Sequence, residues 1–135
     1  MNPITLPVAR YAVAGTFLEA LAAQNFTDLA GTLAEGAQLQ ALVPRGLRES
    51  DGPDEIGALF EMWFGATQDF ELLEAVVGDV GSLLYLRWRL RLRAERLGEG
   101  WFVVEQQVYA NTDEDGRISR LRLLCSGYCP DQGDK

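Results

Sequence analysis

The chain has 135 residues, 47% apolar and 24% charged, a mixture that suits one globular domain and excludes a disordered chain, a collagen-like fibre or a disulfide-stapled miniprotein. Twenty acids against twelve bases leave a net charge of −8, which argues against general affinity for nucleic acid. There is no histidine, so Ser-His-Asp and Cys-His catalysis, histidine-ligated zinc and imidazole proton shuttles are all removed.

Met1 to Leu6 shows no basic stretch followed by an apolar one, so no signal peptide is read and a cytoplasmic location is expected. Apolar runs are only a few residues long, so no bilayer span is expected. Thr5 and Pro7 predict a helix start, and Tyr11, Ala14, Phe17, Leu18 and Leu21 fall at helical spacing within Val8–Ala23. A short second helix, Thr27–Ala34, carries Leu29, Ala30 and Leu33 and stops at Gly36. A strand follows over Ala37–Val43, ended by Pro44 and Gly46. The run Ser50-Asp51-Gly52-Pro53-Asp54-Glu55 reads as a helix N-terminus, with capping oxygens, a proline just inside and acids in the first turn. Ile56, Leu59, Phe60, Trp63 and Phe64 form its apolar stripe, and Gly65 closes it.

The remainder reads as a meander. Strands are predicted over Phe70–Val77, Leu83–Arg93, Trp101–Asn111 and Ile118–Ser126, separated by turns at Gly78–Gly81, Leu97–Gly100 and Asp113–Gly116. Three helices with one strand inserted, then four antiparallel strands, give an α+β chain with a curved sheet and helices on one face. No linker divides it, so residues 1–135 form one domain with its core over 5–128.

The long strand alternates strictly. Leu84, Leu86, Trp88, Leu90 and Leu92 share one face; Tyr85, Arg87, Arg89, Arg91 and Arg93 share the other. Hairpin pairing sets Val104, Gln106, Val108 and Ala110 beside the first group, and the last strand adds Ser119, Leu121, Leu123 and Cys125. A one-residue slip would invert every side chain and bury the arginines, which desolvation forbids. In the strand before, the turn is expected to send Glu71 inward, near Trp88.

The segments "FLEALAAQNFTDLAGTLAEGAQLQALV", "GPDEIGALF" and "DEDGRISRLRLL" resemble the nuclear transport factor 2-like (NTF2-like) superfamily, which includes ketosteroid isomerases and SnoaL-like polyketide cyclases. The resemblance covers nearly the whole chain. It implies a cystatin-like cone, in which a curved, mostly antiparallel sheet wraps three N-terminal helices around a pocket. It also implies a homodimer packed through the outer sheet face. The ketosteroid isomerase machinery is not carried over. Its base position falls on Ala41, its oxyanion tyrosine on Phe17, its oxyanion acid on Val108, and two supporting tyrosines on Leu33 and Phe60. Without base and donors an enolate has no stabilisation. The related dehydratases and several cyclases use histidine, and the epoxide hydrolases an inward Asp-Arg-Asp set that outward arginines do not supply.

Phe17, Phe60, Trp63, Phe64, Trp88, Val108 and Cys125 are therefore expected to line an apolar pocket with Gln106 as polar anchor, or else to fill the cone as core. Glu71, inward beside Trp88, is the one candidate for acid–base work. Tyr11 and Arg45 are placed at the mouth; Arg45 and Arg48 either meet an anionic group or are solvated loop charges. Cys125 and Cys129 do not complete a zinc site and lack C-x-x-C spacing, so neither a metal nor a cofactor is expected. Three readings follow: a binding module for a small apolar molecule; an isomerase or cyclase using Glu71 with Gln106; or an interaction protein with a solid cone.

Overall fold

A computed structural model of the chain describes residues 5–131. Residues 1–4 and 132–135 lie outside it, so the signal-peptide reading rests partly on residues not described. The chain folds as α1 (Thr5–Ala22), α2 (Phe26–Ala30), β1 (Leu33–Val43), β2 (Gly46–Asp51), α3 (Pro53–Phe64), β3 (Asp69–Val80), β4 (Leu83–Arg93), a 3₁₀ turn (Glu95–Leu97), β5 (Phe102–Thr112), β6 (Ile118–Cys125) and the short β7 (Cys129–Pro130). This is the expected α+β class, with one correction: the helices are interspersed, because β1 and β2 precede α3.

Local chemistry explains the difference. The Asn25 side chain caps α2 by accepting from the Asp28 N–H at 3.0 Å. The helix then stops early, since both the N–H (3.1 Å) and hydroxyl (2.7 Å) of Thr32 go to the Leu29 carbonyl. The residues predicted to end the helix, Leu33 and Ala34, instead open β1. β2 occupies what reads as loop, because its polar, mostly exposed residues suit an edge strand. α3 begins where expected, with Pro53, Asp54 and Glu55 in its first turn. It lies close to α2 through Gly57, where a Cβ would meet the Ala30 Cβ at 3.2 Å.

The sheet runs β2-β1-β6-β5-β4-β3, with β7 against β5. All neighbours are antiparallel except β1 and β6, so the sheet is mixed. Leu84, Leu86, Trp88 and Leu90 pair with Ala110, Val108, Gln106 and Val104, the register that alternation requires. Their side chains are buried, and the arginines of β4 face outward.

Two β-bulges break the alternation elsewhere. In β3, Leu72 faces Leu90 and Glu74 faces Arg89, leaving Leu73 unpaired. Counting back from Ala75, opposite Trp88, an unbroken strand would bring Leu73 and Glu71 inward. The bulge hands those places to Leu72 and Phe70, which pack on the core. Glu71 therefore faces outward and bonds Arg91 at 2.9 Å, which corrects the expectation that it lies beside Trp88. In β6 the same device skips Ser119, so Ile118 takes the buried place and Ser119 bonds the Asn111 carbonyl.

α1 lies in the concavity through Ala14, Phe17, Leu18 and Leu21. Phe17 packs on Trp88 with ring centroids 5.6 Å apart and on Phe60 at 5.7 Å. At those separations the rings touch, so the deep cone is filled where α1 meets Trp88.

Candidate functional site

The candidate site is a cleft of about 450 Å³ beside this core. One wall is the end of α3, with Met62, Trp63 and Phe64; the opposite wall is Val104 and Gln106 of β5 and the Cys125–Tyr128 segment. Val43, Pro44, Arg45 and Arg48 of the β1–β2 hairpin and Arg96 of the 3₁₀ turn complete it. The fold brings four of the expected residues here: Trp63, Phe64, Gln106 and Cys125. The other four, Phe17, Phe60, Trp88 and Val108, are at most 1% exposed and belong to the core behind it. Glu71 lies on the far face of the sheet. Tyr11 is also elsewhere, donating to the Asp79 carboxylate at 2.5 Å. That carboxylate, foremost through the hydrogen bond, raises the Tyr11 pKa.

Gln106 is fully buried. Trp88 Nε1 donates to its Oε1 at 3.0 Å. An indole N–H can only donate, so it fixes the amide with oxygen toward Trp88 and nitrogen away from it. The Nε2 then has no partner among the described residues. A buried donor without an acceptor costs about 1–3 kcal/mol.

The end of α3 is held by side chains from outside it. Arg96 donates to the carbonyls of Trp63 (2.7 Å) and Gly65 (3.0 Å), satisfying groups that a helix C-terminus leaves open. Tyr128 also donates to the Trp63 carbonyl, at 2.6 Å. Burial raises the Tyr128 pKa, against the opposing effect of Arg96. Arg96, Tyr128 and Met62 were not read from sequence as site residues; a capping arginine so far beyond its helix has no local pattern. Among the described residues the lining holds three arginines and no carboxylate. Arg45 and Arg48 are exposed and have no ion-pair partner among the described residues.

A larger groove of about 590 Å³ lies outside α2 and α3, lined by Glu35, Asp54, Glu61 and Arg117 among others. Among the described residues, no buried unpartnered side-chain donor belongs to its lining. Among the described residues no group of His, Cys, Asp or Glu is arranged to hold a metal, and no helix is long and apolar enough to cross a membrane.

The architecture, a curved mixed sheet around α1 with α2 and α3 beside it, is the NTF2-like fold. Solved structures place it so. The chain superposes on a phenazine biosynthesis-related protein from Pseudomonas aeruginosa with a TM-score of 0.72, at 12% identity over 93% of this chain and 80% of that one. A putative SnoaL-like polyketide cyclase from Shewanella putrefaciens gives a TM-score of 0.66, at 13% identity over 87% and 89%. An NTF2-like protein of unknown function from Burkholderia xenovorans gives 0.63, at 14% identity over 94% and 88%. At these identities the likeness is one of fold. No protein-family model and no curated protein matches the sequence.

Proposed function

We propose that the chain binds a small, largely apolar molecule in the cleft between α3 and β5, and does so without the catalytic sets known on this fold. The observation that carries the reading is Gln106 Nε2, a buried donor held in place by Trp88 and lacking an acceptor. A ligand oxygen, whether carbonyl, ether or hydroxyl, would supply that acceptor, while Trp63 and Phe64 cover the apolar body. Binding is favoured over turnover because the chain has no histidine and, among the described residues, the cleft lining offers no carboxylate for proton transfer.

Benzophenone and diphenylmethane test this reading, since they differ only in a carbonyl oxygen. Calorimetry is expected to show benzophenone binding roughly five- to tenfold tighter, the worth of one hydrogen bond of about 1 kcal/mol. In Gln106→Met that preference should vanish. Equal affinity for the two in the unaltered protein, or no binding of either, refutes the reading.

A second reading, a homodimer through the outer sheet face, is favoured by Leu42, Leu47 and Leu124. They neighbour one another on β1, β2 and β6 and are 51%, 59% and 46% exposed. Packing them against a second copy would remove an apolar patch from water. The arginines of β4 do not require such a partner. Arg87, Arg89, Arg91 and Arg93 pair within the chain with Glu74, Glu105, Glu71 and Asp69.

A further inference from the structure

The cleft has two chemically different ends. At its inner end Gln106 is wholly buried; at its outer end Arg45 and Arg48 are exposed. They sit on one hairpin, Arg45 in the turn and Arg48 on β2 opposite Ala41. In a chain with twenty acids and twelve bases, a lining that among the described residues holds three arginines and no acid departs from the average surface. The three guanidinium groups differ in availability. Arg96 is occupied by the carbonyls that end α3, whereas Arg45 and Arg48 have no ion-pair partner among the described residues. The β4 arginines, by contrast, each have a carboxylate within 4.0 Å.

Resting on the cleft-binding reading above, we infer that the ligand is an amphipathic organic anion. Its carboxylate or comparable anionic group meets Arg45 and Arg48 at the mouth. Its apolar body lies between Trp63 and Phe64 on one side and Val104 and Cys125 on the other. An oxygen nearer the buried end accepts from Gln106 Nε2. Each part answers a separate feature: the unpaired cations, the aromatic wall and the unpartnered buried donor. Arginine suits the outer role because its guanidinium donates in a planar fork matched to a carboxylate. The uncharged interior keeps the anion at the rim, where water still solvates it, because burying it fully would cost far more than the contacts return.

The test compares 4-benzoylbenzoate with 4-benzoylbenzamide, which share size, shape and the ketone but differ in charge at pH 7. Calorimetry at low salt is expected to give at least about tenfold tighter binding of the acid, as charge-assisted hydrogen bonds predict. The advantage should shrink as salt is raised. In the R45Q/R48Q double variant the ratio of the two affinities should fall to about one. R120Q/R122Q, which removes two arginines from the outer face of β6, carries the same loss of charge and should keep the ratio. Equal affinity for acid and amide, or a ratio that survives in R45Q/R48Q, overturns the inference. If benzophenone still binds in that case, the apolar cleft reading stands alone. If none of the three compounds binds, both fall.

Discussion

Gln106 uses its oxygen on Trp88, leaves its nitrogen without a partner among the described residues and lines the cleft, so one residue joins the core to the candidate site. Tyr128, on the same wall, joins them too. Its hydroxyl donates to the Trp63 carbonyl, and burial raises its pKa above the usual phenol value. Ionisation therefore favours the unfolded chain. The stabilisation is fully present below the unfolded pKa, about 10, and is lost as pH rises through the higher folded value. Tyr128→Phe is expected to lower stability by about 1 kcal/mol at pH 8. The gap from the unaltered protein should narrow in the strongly alkaline range. Thermal melts of both proteins at pH 8 and pH 11 check this; a gap that widens with pH would contradict it.

At the scale of elements, the bulge at Leu73 decides which residues of β3 look inward. It exposes Leu73 to 42% and seats Phe70 and Leu72 on the core. Deleting Leu73 would remove the extra residue, and strict alternation from Ala75 would then keep Leu72 and Phe70 inward and Glu71 outward. Leu72→Asp, which places a carboxylate at that inward position against the core, is expected to cost more than about 2 kcal/mol. Removing Arg91's partner alone by Glu71→Gln should cost under about 1 kcal/mol, because that pair is exposed. Denaturant melts of the two variants measure the contrast. Equal losses would mean that the bulge does not set the facing.

At the scale of the whole molecule, the concave side is occupied by helices and the convex side is left to solvent or a partner. The β4 arginines are paired with carboxylates within the chain, so apolar area, not their charge, drives the proposed association. Sedimentation velocity at micromolar concentration should therefore give about twice the 14.9 kDa protomer mass. Leu42→Lys with Leu124→Lys should return it to the monomer, since lysines at a buried apolar contact are costly to desolvate. A monomer in the unaltered protein refutes the dimer.

The sequence alone determined which face of β4 is buried, because five apolar residues alternate with four arginines and one tyrosine and only one register avoids burying charge. It determined the partners of that face on β5 for the same reason, and with them the burial of Gln106. It also showed that the ketosteroid isomerase positions are apolar, and Ala41, Phe17 and Val108 are indeed buried in the core. Tertiary structure decided the rest. The bulges at Leu73 and Ser119 carry no strong local signal, yet each reverses the facing of what lies beyond it. Whether aromatic residues line a space or fill it depends on how closely helices approach the sheet. Phe17, Phe60 and Trp88 closed that distance, and the open volume moved to the end of α3. Periodicity reports which side of an element avoids water; the distance between elements is set only when all of them pack together.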